Sequence, residues 1–259
     1  MSEQLWLILA AGGLVSGIIA GLLGIGGGTI LVPLLVTLGY APVIAVATSS
    51  LAILITSISG SVQNWRMGYL DWKRVILLGL PAILTAQIGV YIASQILPYI
   101  LLFCFGILLL INIYLVELRK RLTSGETEEI QKFNPVIARI FTGGAAGILA
   151  GLFGVGGGVI MVPLQMLLLT EKIKVAIQTS LGVIIITAIS ACIGHTLKGN
   201  VLFIPGVILG IGGLIGAQFS TRILPRLSDK KVSLIFRLFL GILSIYVFWQ
   251  AWNSYLQMK

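Results

Sequence analysis

The 259 residues are 58% hydrophobic and only 10% charged, against roughly 25% charged in soluble domains, which excludes an ordinary soluble globule. Apolar runs of about 20 residues, the length a bilayer crossing needs, recur along the chain and are continuous rather than alternating, so membrane helices are expected and barrel strands are not. The net charge of +9 is read as loop charge that fixes topology, with no nucleic-acid partner and the lipid bilayer as surroundings.

The chain opens MSEQLW, with Glu3 and no basic residue before the first apolar run. That is a poor signal peptide, and the first segment is expected to be retained. The first apolar stretch, 5–38, is interrupted by GLLGIGGGTILVPLL, Gly21 to Leu35, with four glycines between Gly24 and Gly28. Each glycine weakens a helix by about 1 kcal/mol relative to alanine, so a break is expected there. Plain apolar helices follow near 43–64, 75–95 and 98–117. Glu117 to Asn134 is the one long hydrophilic segment; it carries Arg119, Lys120 and Arg121, then Glu126, Glu128 and Glu129, and reads as a solvated linker. A second broken stretch, 136–169, contains GLFGVGGGVIMVPLQ, Gly151 to Gln165. Helices near 174–194, 201–221 and 232–250 complete the chain. Cys104 and Cys192 fall inside apolar runs without metal-ligand spacing; buried packing is expected for both, with no metal and no cofactor.

The two halves are copies. At an offset of 130, Gly17, Gly21, Gly24, Gly26, Gly27, Gly28 and Pro33 fall on Gly147, Gly151, Gly154, Gly156, Gly157, Gly158 and Pro163. Ser49, Ser50 and Leu51 fall on Thr179, Ser180 and Leu181; after a one-residue gap, Asn64 meets His195 and Gln87 meets Gln218. This many matches in one register mark an internal duplication. The expected organisation is 1–118 as the first membrane unit, 119–134 as linker and 135–259 as the second unit.

Charge decides whether each broken stretch crosses once or turns back. If both turn back, fifteen of the seventeen Lys and Arg residues lie on one side, with only Lys198 and Lys259 opposite. If both cross once, the split is ten against seven. The positive-inside rule favours the first arrangement. The expected fold is therefore all-α and integral to the membrane: two inverted repeats, each a glycine-tipped re-entrant hairpin plus three transmembrane helices. Both termini then face out and the linker faces the cytoplasm. Trp6, Trp65, Trp72, Trp249 and Trp252 all fall near expected membrane borders.

In this arrangement Gly26, Gly27 and Gly28 with Thr29, and Gly156, Gly157 and Gly158, place two helix N-termini at one central point, which is an anion site by geometry. No Lys, Arg, Asp or Glu lies in the middle of an expected helix. Thr48, Ser49, Ser50, Gln178, Thr179 and Ser180 supply hydroxyls and amides nearby, or simply bond back to their own helices. Gln87 and Gln218 sit mid-helix, where an amide needs a partner. Gly17 and Gly21, with Gly147 and Gly151, read as helix-packing positions. Asn64 and His195, the only histidine, read either as structural or as proton or ligand contacts.

The doubled GLLGIGGG…VP and GLFGVGGG…VP motifs, followed by TSSLAI and TSLGVI, resemble the sulfite exporter TauE/SafE family over nearly the whole chain. NWRMGYLDW resembles a loop pattern of that family, in which a histidine often stands where Asn64 does. The resemblance implies a secondary transporter of the bacterial inner membrane, exporting sulfite, an organosulfonate or a similar small sulfur-containing anion by alternating access. An anion channel using the same glycine tips is the alternative. The residues show no pattern for a membrane enzyme. A homo-oligomer is left open.

Overall fold

The computed structural model describes residues 3–124 and 134–256; Glu126, Glu128, Glu129, Lys132 and Lys259 lie outside them. The described residues form ten α-helices and a short 3-10 turn: α1 Glu3–Leu23, α2 Gly28–Thr37, α3 Pro42–Arg66, α4 Trp72–Ala93, α5 Pro98–Ser124, α6 Pro135–Phe153, α7 Gly158–Leu168, α8 Ile173–Leu197, α9 Phe203–Ile223 and α10 Asp229–Leu256. Eight of these are long and apolar enough to cross a membrane; α2 and α7, of 10 and 11 residues, are the short ones.

Local chemistry sets the helix starts. Asp71 caps α4, accepting from the N–H groups of Lys73 and Arg74 at 2.9 and 3.3 Å. Asn134 caps α6 through the Val136 N–H. Pro42 and Pro135 open α3 and α6, where the missing N–H costs nothing. α5 runs on to Ser124, past the basic residues expected to begin the linker. Lys and Arg are good helix formers and suit a helix C-terminus, so the hydrophilic stretch begins as helix.

Named contacts fix the helix directions. A Cβ on Gly13 would touch Leu209, one on Gly17 would touch Gly213, and one on Gly21 would touch Ser220; α1 and α9 are parallel. Ile55 meets Gly210 and Thr56 meets Gly213, which adds α3 to the same set. Likewise Leu78 meets Gly143, Ala82 meets Gly147 and Ala86 meets Gly151, so α4 and α6 are parallel. Val75 meets Gly182 and Ile186 meets Gly79, adding α8. Gly60 lies at Leu181, whereas Ile53 lies level with Ile184, so α3 and α8 are antiparallel. Repeat-related helices thus run in opposite directions, in agreement with the inverted arrangement.

Each hairpin is lopsided. α1 has 21 residues, about 31 Å at 1.5 Å per residue, enough to traverse the bundle. α2 then returns only part way: a Cβ on Gly27 would meet Ser16, and one on Gly12 would meet Leu34. The chain leaves at the end where it entered. Gly17 and Gly21 do not break α1; they let it touch α9 main chain to main chain, and Gly147 and Gly151 do the same for α6 on α4. The long arm of each hairpin therefore packs on a helix of the other half.

Contacts at the two ends sort as the charges do. Arg74 pairs with Glu171, Lys174 with Asp229 and Arg237 with Glu117, all at the end carrying the linker. At the end carrying the termini, Lys198 bonds Ser94, and Gln250 bonds Thr37 and the Pro33 carbonyl. Trp65 and Trp72 are exposed at the linker end, and Trp6, Trp249 and Trp252 toward the other. Cys104 and Cys192 are half-buried rather than buried as expected; each sits on a helix flank with only one packed side.

Candidate functional site

Each tip is a turn of left-handed glycines. Gly24, Gly26 and Gly27 have φ of 67°, 75° and 82°; Gly154, Gly156 and Gly157 have φ of 62°, 74° and 76°. A side chain there costs roughly 1–2 kcal/mol. Gly28 and Gly158 serve closeness instead. A Cβ on Gly28 would lie 2.2 Å from the Gly154 carbonyl oxygen, and one on Gly158 would lie 2.1 Å from that of Gly24. The two tips touch. Ile53 and Ile184 flank the junction, so its walls are aliphatic where the sequence suggested hydroxyls.

α2 and α7 both begin at this junction and run toward opposite ends of the bundle. Two helix N-termini, each with about half a positive charge, therefore face one another. Gly27 and Gly157 are their N-caps and offer no side chain. Among the described residues no backbone carbonyl accepts from the N–H groups of Gly26, Gly27, Gly28 and Thr29, nor from those of Gly156, Gly157, Gly158 and Val159. The Thr29 hydroxyl is fully buried and has no partner among the described residues. Buried helix ends ordinarily find partners. An anion is the ligand that meets unpaired donors and converging positive dipoles together.

Four hydroxyls hold the tips by their carbonyls, and two of these contacts cross between halves. Ser180 on α8 donates to the Gly24 carbonyl at 2.7 Å, and Ser49 on α3 donates to that of Gly154 at 2.8 Å. Thr187 donates to Gly156 O and Ser16 to Gly27 O, at 2.8 and 2.9 Å. Ser16 and Thr187 escape sequence reasoning; a lone hydroxyl in an apolar helix near a glycine turn is the signal that points to them. Ser50 bonds back to Val46 on its own helix, and Thr48 accepts from the Leu202 N–H. Gln178 and Thr179 are buried.

Other expected site residues lie elsewhere. Gln87 donates to the Ser190 carbonyl at 2.6 Å and its hydroxyl at 2.8 Å, tying α4 to α8. Its mate Gln218 donates to the Ser59 carbonyl at 3.3 Å, tying α9 to α3. Gln87 is exposed and Gln218 half-buried, so both sit on the flank of the bundle. Asn64 and His195 occupy opposite ends, each with no exposed surface. His195 Nε2 lies 3.0 Å from the Gly151 carbonyl oxygen, while among the described residues Nδ1 has no partner and neither polar atom of the Asn64 side chain has one. Among the described residues no three His, Cys, Asp or Glu side chains converge as a metal site would require.

Comparison with known proteins agrees with this architecture. The family described as sulfite exporter TauE/SafE matches over residues 9–247. A probable membrane transporter protein of Bacillus subtilis, YunE, is 26% identical over 273 residues, covering 95% of this chain and 98% of its own length. A probable membrane transporter protein of Xylella fastidiosa is 29% identical over 261 residues, covering 97% of this chain and 98% of its own. A TauE/SafE family protein of Arabidopsis thaliana is 27% identical, over 42% of this chain and 26% of its own length. No solved structure matches the chain.

Proposed function

The chain belongs to the sulfite exporter TauE/SafE family, and we propose that it is a secondary transporter that exports a small sulfur-containing anion, of the sulfite or organosulfonate class, by alternating access. One observation carries this reading: eight buried main-chain N–H groups, four on each tip, that find no backbone acceptor among the described residues and gather where two half-helices meet N-terminus to N-terminus. Gly26, Gly27, Gly28 and Thr29 with Gly156, Gly157 and Gly158 form the binding residues. Ser49 and Ser180 position the tips rather than touch the anion, and Gln87 and Gln218 lock helix pairs at the flank. The protein sits in a bacterial inner membrane with termini outside and the linker cytoplasmic, as units 1–118 and 135–259 joined by 119–134. Expelling one negative charge gains about 2.3 kcal/mol per 100 mV of membrane potential.

A carrier is favoured over a channel by burial: every residue from Gly24 to Thr29 and from Gly154 to Ile160 is buried, so the midpoint is closed. Reconstituted protein tests both. Counterflow of labelled sulfite or sulfoacetate that saturates with concentration is the expected result; unsaturable flux without counterflow would favour the channel. Thr29→Val should weaken anion affinity about tenfold or more, the worth of one hydrogen bond to a charged group. Thr29→Ser should keep it. Leucine at Gly157 would be a poorer test, because a Cβ there already falls 2.2 Å from the Ala146 carbonyl oxygen and the tip itself would be displaced.

A further inference from the structure

A cavity of about 600 Å³ opens at the linker end between α5, α7, α8 and α10. That volume suits a small organic ligand. Val116, Met166 and Leu234 make part of its wall apolar, and Lys172, Lys230 and Arg237 bring charge to it. Glu171 and Asp229 also line it, but each is engaged by a cation outside the cavity: Glu171 by Arg74 at 2.7 Å and Asp229 by Lys174 at 3.6 Å. Lys172 and Lys230 make no ion pair among the described residues. Arg237, which pairs with Glu117, adds a third cation to the wall. α8 starts at the cavity wall with Lys172 as N-cap and no side-chain cap, so its dipole adds positive potential.

We propose that this cavity is a second anion site, separate from the tips, that takes an oxyanion headgroup on a short apolar body. The headgroup faces the Lys172 and Lys230 ammonium groups beside Arg237, while the body lies against the aliphatic wall. Carboxylates already paired elsewhere leave the cavity cationic, and two ammonium groups without ion pairs at its wall favour an anionic group. Two sources carry that chemistry: a free organosulfonate, and an anionic phospholipid whose headgroup enters from the adjoining leaflet. The assignment needs no transport and stands apart from the function proposed above.

The test is titration calorimetry of the full-length protein with butane-1-sulfonate. Saturable binding is expected. Arg237→Gln should weaken it several-fold by loss of a cation at the wall, and the Lys172→Gln/Lys230→Gln double variant should weaken it about tenfold or more and lower its salt dependence. Because the tips are also proposed to take organosulfonates, each variant is read in a Thr29→Val background, where tip binding is weakened and binding in the cavity is expected to persist. If Arg237→Gln does not fold because Glu117 loses its cation, the lysine variant decides. Repeating the titration in phosphatidylglycerol and phosphatidylcholine nanodiscs separates the sources. Displacement by phosphatidylglycerol assigns the cavity to lipid; undisturbed binding assigns it to the solute. The proposal is overturned if the double variant binds butanesulfonate as wild type does, or if a neutral butyl sulfone binds as tightly.

Discussion

Single hydroxyls determine whether the tips can exist. Ser49 and Ser180 each reach a carbonyl on the hairpin of the other half, 105 and 156 residues away in the chain. Removing either hydroxyl strands a buried carbonyl, which costs about 1–3 kcal/mol. Ser49→Ala and Ser180→Ala should therefore each lower the thermal unfolding midpoint of the purified protein. Ser50→Ala, whose hydroxyl only bonds back to Val46, should change it far less. The residue types were legible in the sequence, and their spacing after each glycine run marked them. Their partners were not, because periodicity within a helix says nothing of which distant carbonyl lies opposite. His195 gives a second expectation at this scale. A carbonyl can only accept, so the Gly151 contact at 3.0 Å requires the proton of the neutral ring on Nε2. As the only histidine, its nitrogen-15 spectrum is unambiguous: an Nε2–H tautomer is expected, and an Nδ1–H tautomer would show that the bond to α6 does not form.

At the scale of helices, glycine acts in two distinct ways, and substitution should separate them. At Gly17 a Cβ would fall 2.1 Å from the Gly213 carbonyl oxygen, and at Gly151 it would fall 2.1 Å from that of Ala86. Main chain cannot swing aside as a side-chain tip can, so Gly17→Ala and Gly151→Ala must spread α1 from α9 and α6 from α4. Overpacking of this kind costs typically 1–3 kcal/mol or more. Gly39, Gly68 and Gly199 have open space around them but φ of 90°, 77° and 70°; alanine there should cost only the left-handed strain of roughly 1–2 kcal/mol, with helix packing intact. Thermal unfolding and cross-linking between α1 and α9 distinguish the two classes. The sequence showed where the glycine stripes lie and that they suit close packing. It could not show that each stripe serves the opposite half, since a small residue is equally compatible with any neighbour. It also left the hairpin arms unequal in fact where they looked alike in composition: α1 stays helical to Leu23 because α9 covers its glycines, and the chain turns only where three glycines adopt positive φ.

Across the whole molecule, the ion pairs of Arg74, Lys174 and Arg237 gather at the end that carries the linker, where the sequence count also puts most of the cations. The duplication, the broken stretches and the uneven distribution of Lys and Arg were all readable before any coordinates, because lipid forces long apolar segments and topology confines cations to one side. The meeting of the two tips was readable only as an expectation, since no local pattern encodes where two hairpins from opposite ends will touch. The orientation is testable without a substrate. In a background with Cys104→Ser and Cys192→Ser, Thr170→Cys lies in the loop between α7 and α8 at the linker end, and Asn200→Cys lies in the loop between α8 and α9 at the other. Thr170 has φ of 54°, so exchanging its branched side chain for cysteine relieves rather than adds crowding. A membrane-impermeant maleimide applied to intact cells should label Asn200→Cys and spare Thr170→Cys, and inside-out vesicles should reverse the pattern. α8 joins the two positions, so opposite labelling means that this helix crosses the bilayer with its N-terminus inside, as the fifteen-to-two division of cations requires. Labelling of both from the same side would mean that α8 does not span, and the inverted pairing of α3 with α8 would fail with it.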